Sequence, residues 1–156
     1  MRVLFVCTGN ICRSPAAHAV LESKLRGQEW ASIQVDSAGT GGWHTGELPD
    51  PRARREGARR GYSLLHPARQ IGRSDFEEPG LLIALDRGHY RALRQLAPSG
   101  FPEERLALLR SFDPEAGPMA EVADPYYGDE RDFSEMFDVI EAAMPGLIHH
   151  LQARAG

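Results

Sequence analysis

The first fourteen residues constrain the fold more than any other stretch. Val3-Leu4-Phe5-Val6 is short, apolar throughout and rich in β-branched and aromatic side chains. That pattern suits an inner strand buried on both faces better than a surface helix. Cys7 then stands at the carboxyl end of a buried strand. The segment Cys7-Thr8-Gly9-Asn10-Ile11-Cys12-Arg13-Ser14 leaves it, Pro15 is accepted in a first helical turn, and Ala17, Val20, Leu21 and Leu25 recur at helical spacing. Strand, tight loop and helix in direct succession open a βαβ unit.

The rest of the chain repeats that alternation. Residues 33–37 read as a second strand, followed by a glycine-rich loop from Ala38 to Pro49. Asp50 and Pro51 make a cap and first turn for a helix ending near Gly61. Residues 81–85 form a third buried strand, with a helix after Asp86 carrying Tyr90, Leu93 and Leu96, and residues 106–109 form a fourth. Phe133, Met136, Phe137, Ile140, Met144, Leu147, Ile148 and Leu151 mark one face of a last helix, with a kink or fresh start expected at Pro145. The expected fold is α/β: a single domain spanning 1–156, an open four-stranded parallel sheet with helices on both faces, and a phosphate-binding loop after strand 1. Ligands of such sheets bind at the carboxyl ends of the strands, where Cys7 lies.

Composition narrows the function classes. A chain of 156 residues with a net charge of -4 gives no reason to expect nucleic acid, whose binders usually carry a basic face. No apolar run approaches about 18 residues, so no membrane span is expected. The two cysteines, both in one loop, cannot form a disulfide framework, and the chain enters its first strand without a signal-peptide pattern. A reducing, cytoplasmic location follows as the expectation.

The loop itself is suited to an oxyanion. Its free N–H groups and the positive end of the helix dipole converge, Gly9 permits close approach, and Asn10 tolerates a left-handed turn. A helix N-terminus and a nearby guanidinium both favour the thiolate of Cys7, a nucleophile. Arg13 offers a planar fork matched to two phosphate oxygens. Ser14 could bond the sulfur. A lone Cys7 would more simply be a small buried apolar residue, and a lone Arg13 a helix-surface charge; the whole loop together favours the chemical reading.

The octapeptide followed by Pro15 resembles the active-site loop of the low-molecular-weight protein tyrosine phosphatases, and further segments match that family in order along essentially the whole chain. Asp124-Pro125-Tyr126-Tyr127 by itself is a turn signal. Expelling a phenolate, however, needs a proton donor, and the resemblance assigns that general-acid role to Asp124. Tyr126 and Tyr127 could wall a flat ring, and Trp43, in Asp36-Ser37-Ala38-Gly39-Thr40-Gly41-Gly42-Trp43, matches a position that packs on the substrate. The resemblance further implies that Ser37 and His66 join Asn10 and Ser14 in a hydrogen-bond network supporting the cradle. It also implies that Cys7 and Cys12 form a reversible disulfide under peroxide, and that Asp86 is a carboxylate near the site mouth, a weaker competitor for the acid role.

These residues imply hydrolysis of phosphotyrosine through a phosphocysteine. Cys7, Arg13 and Asp124 are catalytic; Thr8, Gly9, Asn10, Ile11, Cys12, Ser14, Trp43, Tyr126 and Tyr127 bind substrate. No cofactor or metal is expected, since the loop neutralises the phosphoryl charge. His18, His44, His89 and the pair His149-His150 have no spacing that would join the cysteines in a zinc site. Phosphotyrosine proteins are the expected partners, a bacterial tyrosine kinase being one candidate from the resemblance, with inorganic phosphate as product. Alternatives remain: a protein arginine phosphatase, although that group carries threonine where this chain has Ile11 and lacks the paired tyrosines, or a phosphotyrosine- or anion-binding module without turnover. Arsenate reduction of the thioredoxin-coupled kind lacks the later cysteines it would need. Asp50, Arg52, Arg54, Arg55, Arg59 and Arg60 read as a solvated charged face, or a surface for acidic partners.

Overall fold

The computed structural model describes residues 1–30, 32–78 and 80–155. Its sheet consists of β1 (Arg2–Cys7), β2 (Gln34–Gly39), β3 (Gly80–Ala84) and β4 (Leu106–Leu108), in the order β2-β1-β3-β4. All three pairings are parallel. The expected architecture is present, and β1 occupies an inner position with β2 and β3 hydrogen-bonded to its two edges.

Alternate residues of β1 feed two cores. Val3, Phe5 and Cys7 pack with α1 (Arg13–Leu25), α2 (Pro51–Arg59) and the final helix, α5 (Glu130–Ala155). Leu4 and Val6 pack with Phe76 of α3 (Ser74–Glu77) and Leu93 of α4 (Arg87–Leu96). Every side chain from Val3 to Val6 is fully buried, as a strand covered on both faces requires. After β1 the chain moves to one side to form β2, then to the other side of β1 for β3. The carboxyl end of β1 is therefore the switch point of the sheet, the place where such folds leave a crevice.

Local chemistry explains the boundaries that matter for the site. Asp50 caps α2 by accepting from the Arg52 N–H, with Pro51 next. Asp86 caps α4 by accepting from the His89 N–H. Tyr90, Leu93 and Leu96 lie on α4 as expected, Leu96 standing exposed at its end where the chain turns away at Ala97. No fresh start occurs at Pro145: α5 is continuous through it. A proline inside a helix costs about 3 kcal/mol, but Met144 and Leu147 on either side are fully buried. Gly146 lies so close to the 109–112 turn that a Cβ there would fall 1.9 Å from the Phe112 carbonyl oxygen. Burial on this tight contact outweighs the one lost backbone bond.

Candidate active site

The loop after β1 folds as a cradle. Asn10 adopts φ 58, in the left-handed region that asparagine tolerates, and its side chain holds the turn from within. Its Nδ2 donates to Ser14 Oγ at 2.7 Å, while its Oδ1 accepts from the Arg69 N–H at 3.0 Å. Ser14 Oγ lies 2.9 Å from Cys7 Sγ. The end of β2 braces the outside, with Thr40 N–H bonded to the Cys7 carbonyl and Gly41 N–H to that of Thr8. Gly39 permits this approach, since a Cβ there would sit 2.6 Å from the Thr8 carbonyl oxygen.

Ser37 and His66 are placed differently from the expectation. Ser37 Oγ pairs with His18 Nδ1 at 3.0 Å, and His66 Nε2 lies 3.3 Å from Asp36 Oδ1. Helix α1 brings the His18 ring to the Ser37 hydroxyl, so that hydroxyl does not turn toward Asn10 or Ser14. The Arg69 backbone serves Asn10 instead.

Arg13 is buried beside the cradle and held from several sides. Its Nη1 donates to Asp86 Oδ2 at 2.8 Å and to the Val122 carbonyl at 3.0 Å, and its Nη2 lies 3.7 Å from Asp124 Oδ2. Burial works to raise the Asp86 carboxyl, but the His89 N–H and the Arg13 guanidinium outweigh it and hold the group below the usual carboxylate range. Asp86 thus stays ionised and orients Arg13, a state unsuited to donating a proton. His89, on the same turn, bonds Thr8 Oγ1 through Nε2 at 2.8 Å. Burial first, then Arg13, lowers it to about 4, so it is neutral at pH 7.

Asp124 lies on the long segment before α5, its Oδ1 accepting from the Tyr126 N–H at 3.1 Å. Together Cys7, Arg13, Asp124, Trp43, Tyr126 and Tyr127 line a cleft of about 250 Å³, with Thr8, Gly9, Ile11, Cys12 and His44 completing it. Trp43 is 73% exposed and Tyr127 94%; they stand at the rim. Tyr126 and Tyr127 meet edge to face, with ring centroids 5.0 Å apart. A larger hollow of about 640 Å³ opens elsewhere, lined by Arg2, Glu22 and Asp36 among others, but it contains neither cysteine nor Asp124. Cys12 lies in the same cradle: burial, and next the Asp50 carboxylate, push its thiol strongly upward, leaving it protonated at pH 7. Both cysteines are free thiols.

Sequence reasoning missed a strap across the site. Arg52 chelates Asp50 through Nε and Nη2, at 3.1 and 2.9 Å, and extends Nη2 to the Tyr126 carbonyl at 2.9 Å and Nη1 to that of Gly128 at 3.2 Å. Its guanidinium lies over the Phe133 ring, 4.5 Å from the centroid. The Asp50 N–H in turn bonds the Ile11 carbonyl at 2.8 Å. One residue pair thereby ties the cradle to the loop that carries Asp124. Arg60, also read as a solvated charge, is largely covered and paired with Glu56, Asp138 and Glu141. His89 did carry a signal, the Asp86-x-x-His89 cap at the end of β3; Arg52 carried none.

An anion cradle that sets an arginine beside a cysteine, mounted at the switch point of a parallel sheet, defines the class of cysteine-dependent phosphatases. Comparison with known proteins makes this particular: the family model for low molecular weight phosphotyrosine protein phosphatase matches residues 2–155, and the chain belongs to that family. It is 50% identical over 149 residues to the low molecular weight protein-tyrosine-phosphatase of Streptomyces coelicolor, covering 94% of this chain and 91% of that protein. Among solved structures, a protein tyrosine phosphatase from Entamoeba histolytica with Hepes in its active site superposes with a TM-score of 0.91 at 36% identity, covering 98% of this chain and 97% of that one. A Drosophila arginine phosphatase superposes at 0.89 with 28% identity, covering 97% of this chain and 98% of that one. The protein is an enzyme, a phosphoric monoester hydrolase.

Proposed function

We propose that the protein hydrolyses phosphotyrosine in proteins through a phosphocysteine intermediate. The observation that carries this reading is the meeting of Cys7, Arg13 and Asp124 in one cleft whose rim is Trp43, Tyr126 and Tyr127. Cys7 Sγ attacks phosphorus in line with the ester oxygen. The cradle N–H groups and Arg13 bind the equatorial oxygens as the S–P bond forms and the P–O bond breaks. Asp124 gives its proton to the departing phenolate, whose conjugate acid titrates near 10. Water then attacks the phosphocysteine and gives a proton to Asp124. Ser14 Oγ, 2.9 Å from the sulfur, donates to the leaving thiolate.

Thr8, Gly9, Asn10, Ile11 and Cys12 bind the phosphoryl group through the loop backbone, and Ser37 and His66 support the site from behind. The aromatic rim favours an aryl ester, so phosphotyrosine proteins are the partners and inorganic phosphate the product. Two cysteines kept as thiols fit work in a reducing cytoplasm.

Phosphate release from phosphotyrosine and phosphoarginine peptides, measured side by side, tests the reading. Phosphotyrosine should be the better substrate, Cys7→Ser should abolish turnover, and Asp124→Ala should slow it by about a hundredfold or more. Preferential release from phosphoarginine would replace this reading by the arginine phosphatase one, and a Cys7→Ser protein with wild-type turnover would overturn the mechanism.

A further inference from the structure

Three residues from separate segments converge behind the cradle: His18 of α1, Asp36 of β2 and His66 of the extended stretch after α2. One donor atom from each lies within 4.8 Å of the other two. His66 Nε2 stands 3.3 Å from Asp36 Oδ1, and the two imidazole centroids are 4.9 Å apart at 58°. Bonds of about 2.1 Å to a tetrahedral ion separate adjacent ligand atoms by about 3.4 Å. One edge of such a polyhedron is thus already formed, and the remaining donors need only a small closure.

The surroundings orient two of the three. His18 uses Nδ1 on the Ser37 hydroxyl at 3.0 Å, which leaves Nε2 as its outward atom, 3.5 Å from Glu22 Oε2. Asp36 has its Oδ2 fixed by Arg69 Nη2 at 2.9 Å. Metal-bound histidines and carboxylates are typically held by an outer partner of this kind. His66 differs: with Nε2 turned to Asp36, its Nδ1 is buried with no hydrogen-bond partner among the described residues, so this ring lacks the outer partner that the other two have. Access is open, for His66 and Glu22 line both the hollow of about 640 Å³ and a second one of about 270 Å³ that also touches His18.

We propose that His18, Asp36 and His66 form a transition-metal site, with Glu22 or water in the fourth position. Two imidazoles and a carboxylate suit Zn²⁺ and not Mg²⁺ or Ca²⁺, which take oxygen ligands. Arg69, and Arg2 at 3.8 Å from Asp36, draw on the same carboxylate, so the site should bind more weakly than a closed structural zinc centre. The three ligands are remote in sequence, and no local spacing announces them. The proposal is independent of the phosphatase reading, because its readouts are binding and stability.

The test uses the full chain carrying Cys7→Ser, so that the active-site sulfur cannot take the ion. Titration with Zn²⁺ by calorimetry should find one ion per chain, and Co²⁺ should give the visible bands of a tetrahedral site without sulfur charge transfer. His18→Gln and His66→Gln should each weaken binding by at least about tenfold, the range lost when even an outer partner of a metal is removed. A His149→Gln/His150→Gln variant should bind as before. Zn²⁺ should also raise the melting temperature of the Cys7→Ser protein but not of its His18→Gln derivative, a comparison that decides the matter if His66→Gln does not fold. No binding to the Cys7→Ser chain, or binding indifferent to His18, would overturn the proposal.

Discussion

Arg52 donates to the carbonyl of Tyr126 at 2.9 Å, a contact between residues 74 apart in sequence. Since the same guanidinium grips Asp50, it fixes the acid loop against the cradle. Arg52→Ala should therefore lower kcat/KM, which reports formation of the phosphocysteine alone, about tenfold for para-nitrophenyl phosphate, part of the 10²–10⁴ that a positioned acid supplies. It should barely affect dinitrophenyl phosphate, whose leaving group needs no proton. An equal loss on both substrates would mean that Arg52 acts on the cradle and not on Asp124.

Asn10 combines a left-handed backbone with two side-chain bonds, and two substitutions separate them. Asn10→Gly keeps the turn accessible but loses the bonds to Ser14 and Arg69, while Asn10→Ala loses the bonds and adds about 1–2 kcal/mol of backbone strain. Both should be less stable in urea by about 1–3 kcal/mol for the orphaned partners, with alanine the worse. Competitive inhibition by inorganic phosphate should weaken in the same order.

His89 makes stability depend on pH in a defined window. Its folded value of about 4 lies below the ordinary value near 6.5, so the unfolded chain takes up the proton first as pH falls. Stability is full above about 6.5 and declines as pH drops toward 4, by up to about 3 kcal/mol. Melting temperatures across that range should show a shallower slope for His89→Gln. His18 and His150, lowered chiefly by burial, contribute to the slope that remains, joined toward pH 4 by the lowered carboxyls of Asp50, Asp75, Asp86 and Glu121.

Peroxide should oxidise Cys7 to the sulfenic acid; Cys12, protonated at pH 7, gives up its proton as its sulfur attacks, and loss of water leaves an intraloop disulfide that forms faster as pH rises. Mass spectrometry of the treated protein should find that bond. In Cys12→Ser, Cys7 should proceed to sulfinic acid, and activity should no longer return on reduction.

The sheet and the cradle were legible because they are local: an apolar run, a loop and a helix are adjacent in the chain, and each supplies its own signal. Asp50 and Asp86 were legible as residues at helix starts for the same reason. What escaped depends on distant partners. Nothing near Arg52 distinguishes it from Arg55, which is exposed; only the return of the chain at Tyr126 does. Ser37 could have turned toward several polar groups, and the position of α1 chose His18. At Pro145 the local rule for proline counts one lost backbone bond, while the buried contact around Gly146, where α5 runs on without a break, is tertiary.

The inner position of β1 also separates two parts of the enzyme by their resistance to opening. Cys7 ends a strand bonded on both edges and buried on both faces, so the strand that carries the nucleophile comes apart only when the domain melts as a whole. Asp124 sits in a stretch, 113–129, with no helix or strand, secured near its end by Arg52. Such segments open at lower free energy than a central strand. Gentle denaturation should thus yield a protein that still captures phosphate yet has lost its proton donor, and the two halves of catalysis should fail at different denaturant concentrations.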